Sequence, residues 1–117
     1  MQRKFRLTRS TDFKRVRRSG KSYAHPLVVL ITQSSSAPAN VRVGVAAGKT
    51  VGSAVRRNRA KRLLRAAMQG LLPDVLPGAD ILLIARPLLA ESTLEETRAA
   101  LQTLLRRAGL LTSPDAT

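Results

Sequence analysis

Two hydrophobic periods alternate along the chain. Between Ser53 and Gln69 the apolar residues Ala60, Leu63, Leu64, Ala67 and Met68, continued by Leu71, recur at three- and four-residue intervals, the spacing of one buried stripe on an α-helix. A shorter helix is predicted from a Ser10 cap to about Arg18, with Phe13 and Val16 on one side, Asp12 in the first turn and Gly20 as the stop. A third follows Ser92, whose pairing with Glu95 forms a capping-box pattern; Leu94, Leu101, Leu104, Leu105 and Ala108 are its expected buried side, and Gly109 ends it. The period then changes. Tyr23 to Gln33 holds the run Leu27 to Ile31 and predicts a buried strand, while Val41, Val43 and Val45 alternate with Arg42, Gly44 and Ala46 as a half-buried strand does. A hairpin between those two is the economical pairing. Ile81 to Ala85 is too continuous for an exposed strand and is expected in the sheet interior. Ser34 to Asn40, Pro73-Asp74 and Pro77-Gly78 read as loops. No repeat or linker divides the 117 residues, so residues 1–117 are expected to form one domain, with a basic arm over 1–8 and a fraying tail over 110–117.

Composition changes this picture in one respect. The apolar fraction of 44% suits a folded core, but Phe5, Phe13 and Tyr23 are the only aromatics, so Leu, Val, Ile and Ala must build it and base-stacking platforms are scarce. Charge changes it more. The formal net charge is +14, and it is uneven: residues 1–65 hold 17 Lys/Arg against the single acid Asp12, whereas 66–117 hold 4 against six acids. Winding the central helix at about 100° per residue puts Asn58, Lys61, Arg62, Arg65 and Gln69 opposite its apolar stripe, with Arg57 and Arg59 on the flanks. A solvated charged face normally interleaves Glu with Lys. This one has no acid, which points to a polyanion, nucleic acid ahead of an anionic membrane surface.

The candidate chemistry is sparse. The chain has no cysteine, hence no disulfide, thiolate metal site or thiol nucleophile, in keeping with a reducing cytoplasm. No apolar run approaches the roughly 20 residues of a membrane span. The basic N-terminus shares the Arg-rich bias of a transit peptide, but Phe13 and Val16 look like core contacts of a folded helix. Gly48-Lys49-Thr50 invites comparison with a nucleotide-binding loop, yet the residue five before Gly48 is Val43, so that motif is not met. Lys49 remains placed beside a helix start to contact an RNA phosphate. Metal-dependent phosphodiester cleavage needs clustered carboxylates, and acid/base cleavage a histidine pair. Glu91, Glu95 and Glu96 are absorbed by the start of the last helix, Asp74 and Asp80 read as loop acids without a paired carboxylate, and His25 is alone. No catalytic or metal-ligating residue is expected.

The run Gly52 to Arg65, with Arg57-Asn58-Arg59 followed by Lys61-Arg62 and Arg65, resembles the signature of the bacterial ribonuclease P protein subunit. Asp12-Phe13 with Val16, Gly20-Lys21-Ser22, Arg42-Val43-Gly44 and Asp80 through Pro87 fall in the family's order. The resemblance implies an α+β fold: a mixed sheet of about four strands with three helices in the order α-β-β-β-α-β-α and a left-handed β-α-β crossover, against the usual hand. It implies a catalytic RNA partner that uses Mg2+ to remove the 5′ leader of precursor tRNA, with no cofactor on the protein itself and a cytoplasmic setting. Arg57, Asn58, Arg59, Lys61, Arg62 and Arg65 match the basic motif that faces that RNA. Phe13 matches a residue of the leader-binding cleft, to which Arg17, Ile31 and Lys49 are also assigned. Arg17 and Ile31 stand where the family commonly has aromatics, so leader binding is expected to rest on charge more than on stacking. The alternative is a structural ribosomal-type RNA-binding protein that assists no reaction; a DNA-binding helix is weaker, since no dimer or recognition-helix framework is visible.

Overall fold

The computed structural model describes residues 5–35 and 40–112. Helix α1 (Ser10–Ser19) leads into β1 (Lys21–Ala24) and β2 (Val28–Ser34), then β3 (Arg42–Ala46), α2 (Ala54–Leu71), β4 (Ala79–Ala85) and α3 (Leu94–Arg107), the α-β-β-β-α-β-α order expected. Single 3-10 turns at Lys49–Val51, Leu72–Asp74 and Pro87–Glu91 join the later elements.

The sheet order is β1-β2-β4-β3. This corrects the expected hairpin between the second and third strands, because β4 lies between them, antiparallel to β2 and parallel to β3. The reason is burial. Six of the seven β4 residues are buried, so that strand takes the position with a hydrogen-bonded neighbour on each side, and sequence proximity yields. The stretch from Tyr23 is likewise two strands. His25, Pro26 and Leu27 turn the chain between β1 and β2, with Val28 O accepting from His25 N at 2.9 Å and His25 Nδ1 accepting from Leu27 N at 3.1 Å. The single histidine therefore serves a hairpin turn.

The two faces of the sheet are covered unequally. On one, Val28, Leu30, Val43, Ile81, Leu83 and Ala85 pack against Ala60, Leu64, Ala67, Met68 and Leu71 of α2 and Ala100, Leu101, Leu104 and Leu105 of α3. The α2 stripe matches the periodicity except at Leu63, which is only half-buried. On the other face a smaller cluster, Leu7, Val16, Ile31 and Leu82, is roofed by α1 and, at the β3 edge, by Leu7 of the arm.

Several boundaries differ from expectation. The N-cap of α1 is Arg9, with no side-chain cap, and Ser10 is its first helical residue. The capping box of α3 is Thr93 with Glu96. Ser92 is instead buried, its Oγ donating to Leu89 O and bonding Thr97 Oγ1, so the adjacent pair takes the cap. Leu94, expected inside, is 43% exposed. Of the arm, residues 1–4 lie outside the described residues, while Leu7 is buried and donates its N–H to Val43 O at 2.9 Å, docking the arm on the β3 edge. Leu110 to Thr112, expected to fray, are bonded to 74–76 through Leu76 N to Leu110 O and Thr112 N to Asp74 O. The remainder of the tail lies outside the described residues.

Candidate nucleic-acid interface

Helix α2 is aimed by its first turn. Gly52 sits at φ +125°, a conformation that L side chains rarely adopt, and Ser53 Oγ accepts from Arg56 N at 3.3 Å as the N-cap. With the apolar stripe on the sheet, the polar residues must face outward, and their contacts divide them in two. Arg57 Nε donates to Gly52 O at 3.0 Å and Arg59 Nε to Ala90 O at 2.6 Å. Arg56 binds Val51 O and reaches Glu91 at 3.9 Å, the one acid near this helix among the described ion pairs. These flanking guanidiniums are held by the protein's own backbone. Asn58, Lys61, Arg62 and Arg65 have no side-chain hydrogen bond or ion pair among the described residues, and all but the half-buried Lys61 are exposed. Four of the six predicted RNA-facing side chains are thus uncommitted, and two are anchored at the margins with N–H groups to spare.

The second region is the lightly covered face of the sheet. Register places its side chains in three cross-strand rows: Gln33, Asp80 and Arg42; then Ile31, Leu82 and Gly44; then Val29, Ile84 and Ala46. Helix α1 lies over the first two. Asp80 is fully buried, and Arg42 grips it with Nε and Nη2, each 2.9 Å from a different carboxylate oxygen. Arg15 of α1 donates to the same carboxylate and to Gln33, while Asp12 lies 3.4 Å from Arg15 and 3.8 Å from Arg42. Burial alone would raise the Asp80 carboxyl, but the hydrogen bonds and charges of Arg42 and Arg15 outweigh it and hold it below the usual carboxylate range. Asp80 is therefore a strand residue in a paired network and not the loop acid that the sequence suggested. The structure does bring Asp12 and Asp80 together, but two guanidiniums occupy their oxygens, a donor set that does not fit a metal ion, and no group of three or more His, Asp or Glu among the described residues could hold one.

With Val16 pointing onto Ile31 and Leu82, Arg15 turns toward Asp80 and Arg17, on the opposite side of α1, toward the third row. That row is half-buried and packs against the margin of the Leu7, Val16, Ile31 and Leu82 cluster, leaving an apolar strip partly open to solvent. The predicted cleft residues separate here. Phe13 is half-buried with its ring against Gly44: a Cβ there would lie 2.7 Å from Phe13 Cζ, so only glycine admits the ring. Arg17 and Lys49 are exposed, the latter three residues beyond the end of β3. Ile31 is the correction. It is buried beneath α1, because strand alternation turns it onto Val16, and Val29, two residues earlier, meets the cleft instead. Beside the β3 edge a pocket of about 220 Å³ is lined by Arg6, Thr8, Phe13, Gly44, Val45 and Arg65. A predicted RNA-facing residue and a predicted cleft residue share that pocket, an adjacency of α2 with α1 that no sequence spacing could reveal.

The fold and surface define a class: a small α+β domain with one unneutralised cationic helix face beside a half-open sheet. The family model described as Ribonuclease P matches residues 1–109. A ribonuclease P protein component of Herpetosiphon aurantiacus is 40% identical over 113 residues, covering 94% of this chain and 89% of its own, and one of Lactiplantibacillus plantarum is 36% identical over 95% and 97%. The Staphylococcus aureus RNase P protein structure superposes with a TM-score of 0.81 at 28% identity, over 92% of this chain and 97% of that one. The Thermotoga maritima protein, solved in complex with 1-(4-fluorophenyl)-2-thiourea, gives 0.77 at 28% over 87% and 98%. The chain belongs to the ribonuclease P protein family, and the ribosomal-type alternative falls.

Proposed function

We propose that the chain is the non-catalytic subunit of ribonuclease P: α2 binds the catalytic RNA, and the cleft under Phe13 and Arg17 holds the 5′ leader of precursor tRNA. The observation that carries this reading is the set Asn58, Lys61, Arg62 and Arg65, whose side chains have no hydrogen bond or ion pair among the described residues. Each cation placed on a phosphate releases condensed counterions, so a compact cationic surface replaces part of the ion atmosphere that RNA substrate and RNA catalyst would otherwise share. Magnesium in this account is held by the RNA, since Asp12 and Asp80 are already paired with Arg15 and Arg42. The setting is cytoplasmic; no helix among the described residues is long and apolar enough to cross a membrane. The test is reconstitution. RNA-free protein should leave precursor tRNA intact, and adding it to a cognate RNA subunit should restore leader removal at magnesium too low for the RNA alone. Sustained cleavage by the RNA-free protein, abolished by His25→Ala, would contradict this.

A further inference from the structure

One apolar surface remains unused by this account. Val55, in the first turn of α2, is 75% exposed, and Leu94, at the start of α3, is 43% exposed. Both line a groove of about 380 Å³ whose remaining lining is Arg59, Arg62, Leu63 and Ala66. Such a volume suits a small planar group, and two exposed aliphatic side chains, one from each helix, in one groove call for an occupant.

We propose that this groove seats an unpaired nucleobase of the RNA subunit, a reading that rests on the function proposed above. Three observations select that occupant. The groove is continuous with the cationic face, since Arg59 and Arg62 belong to both, so a strand whose phosphates follow α2 passes its rim. Arg59 is fixed by its 2.6 Å bond to Ala90 O, which holds the guanidinium plane in place to stack on a base or to meet a phosphate with its free N–H groups. The rim beside Leu94 is acidic: exposed Glu95 and the capping Glu96 in the first turn of α3, with Glu91 just before it, disfavour phosphates there, so the RNA backbone stays along α2 and a base reaches Leu94. A second copy of the chain is disfavoured, because meeting at this groove would bring Arg59 and Arg62 against their own counterparts. In a chain whose three aromatics all lie elsewhere, Val55, Leu63 and Leu94 supply the apolar contact that an aromatic platform gives other RNA-binding proteins.

The experiment measures RNA-subunit binding across a salt series for wild type, Val55→Ser, Leu94→Ser, Arg62→Ala and Arg65→Ala, with melting temperatures as a check on folding. Because Val55 and Leu94 are exposed, both serine variants should melt with wild type. Each should bind about tenfold more weakly at fixed salt, the loss of one buried aliphatic contact, with the slope of log K against log[salt] unchanged. A photoreactive benzophenone side chain at position 94 should crosslink to an unpaired nucleotide of the RNA subunit. Wild-type affinity in both serine variants, crosslinks confined to paired RNA, or a protein dimer in light scattering that Val55→Ser dissociates would each overturn the groove. The proposed function would fail differently, through wild-type slopes in both Arg62→Ala and Arg65→Ala, the latter outside the groove.

Discussion

The closed and open faces of the sheet are built by opposite means. Against α2 and α3 the closed face is apolar: fully buried Leu64, Met68, Leu83, Leu101, Leu104 and Leu105 fill it without a buried charge among the described residues. On the open face a fully buried carboxylate gripped by two arginines holds a short helix of low apolar content, and the last row of the sheet is left half-buried. Stability is concentrated on the first face, which frees the second to leave an apolar floor half-exposed beside Phe13 and Arg17. The Asp80 network fixes α1 over the other two rows through Arg15.

The largest effect should come from breaking the closed face. Leu64→Ala is expected to cost about 2–5 kcal/mol, whereas Val29→Ala, in the half-buried third row, should cost about 1 kcal/mol or less because the floor already meets solvent. Urea unfolding of the two variants measures the contrast, and equal losses would mean that the faces are not different in kind.

Next in size is the network itself. Asp80→Asn leaves Arg15 and Arg42 without their shared anion, and about 2–3 kcal/mol should be lost, less than for a wholly buried pair because both guanidiniums can reach water. The wild-type contribution has a pH signature. The folded Asp80 carboxyl lies below its unfolded value of about 3.9, so its stabilisation is fully present above that value and is lost as pH falls through the folded pKa. Unfolding midpoints from pH 7 down to about 2.5 should therefore fall more steeply at the acid end in wild type than in Asp80→Asn.

A smaller change should sharpen the role of the opening. Phe13→Ala removes a half-buried ring and should cost about 1–2 kcal/mol, while weakening precursors with long leaders more than those with short ones. Gly44→Ala keeps the ring but, with a Cβ 2.7 Å from its Cζ, must displace it, and should reproduce the leader defect. Leader discrimination unchanged in both variants would remove Phe13 from the cleft.

What could be read from the sequence follows how local each cause is. The α2 stripe and its opposing cations were legible because both lie within five helical turns of one segment. Strand order was not: β4 displaces β3 from β2 on grounds of burial that compare segments about 50 residues apart. The Asp80 network was equally hidden, since its partners lie 65 and 38 residues away, although a lone acid at the head of an apolar run was a signal that a buried partner must exist. The cap of α3 erred by one because Ser92 with Glu95 and Thr93 with Glu96 satisfy the same pattern, and only the burial of Ser92 against Thr97 decides between them. Ile31 was misplaced because alternation says which residues share a face, but not which rows a crossing helix will cover.

The central claim, that the uncommitted face of α2 meets RNA phosphates, is tested most directly by binding of the RNA subunit across a salt series. Arg62→Ala and Arg65→Ala should fold within about 0.5 kcal/mol of wild type, since neither side chain has a partner among the described residues. Each should flatten the slope of log K against log[salt] by about 0.7–0.9. Asn58→Ala, which removes no charge, should keep the wild-type slope and lose about 1–3 kcal/mol of affinity. Wild-type slopes in both arginine variants would mean that this face of α2 does not meet the RNA.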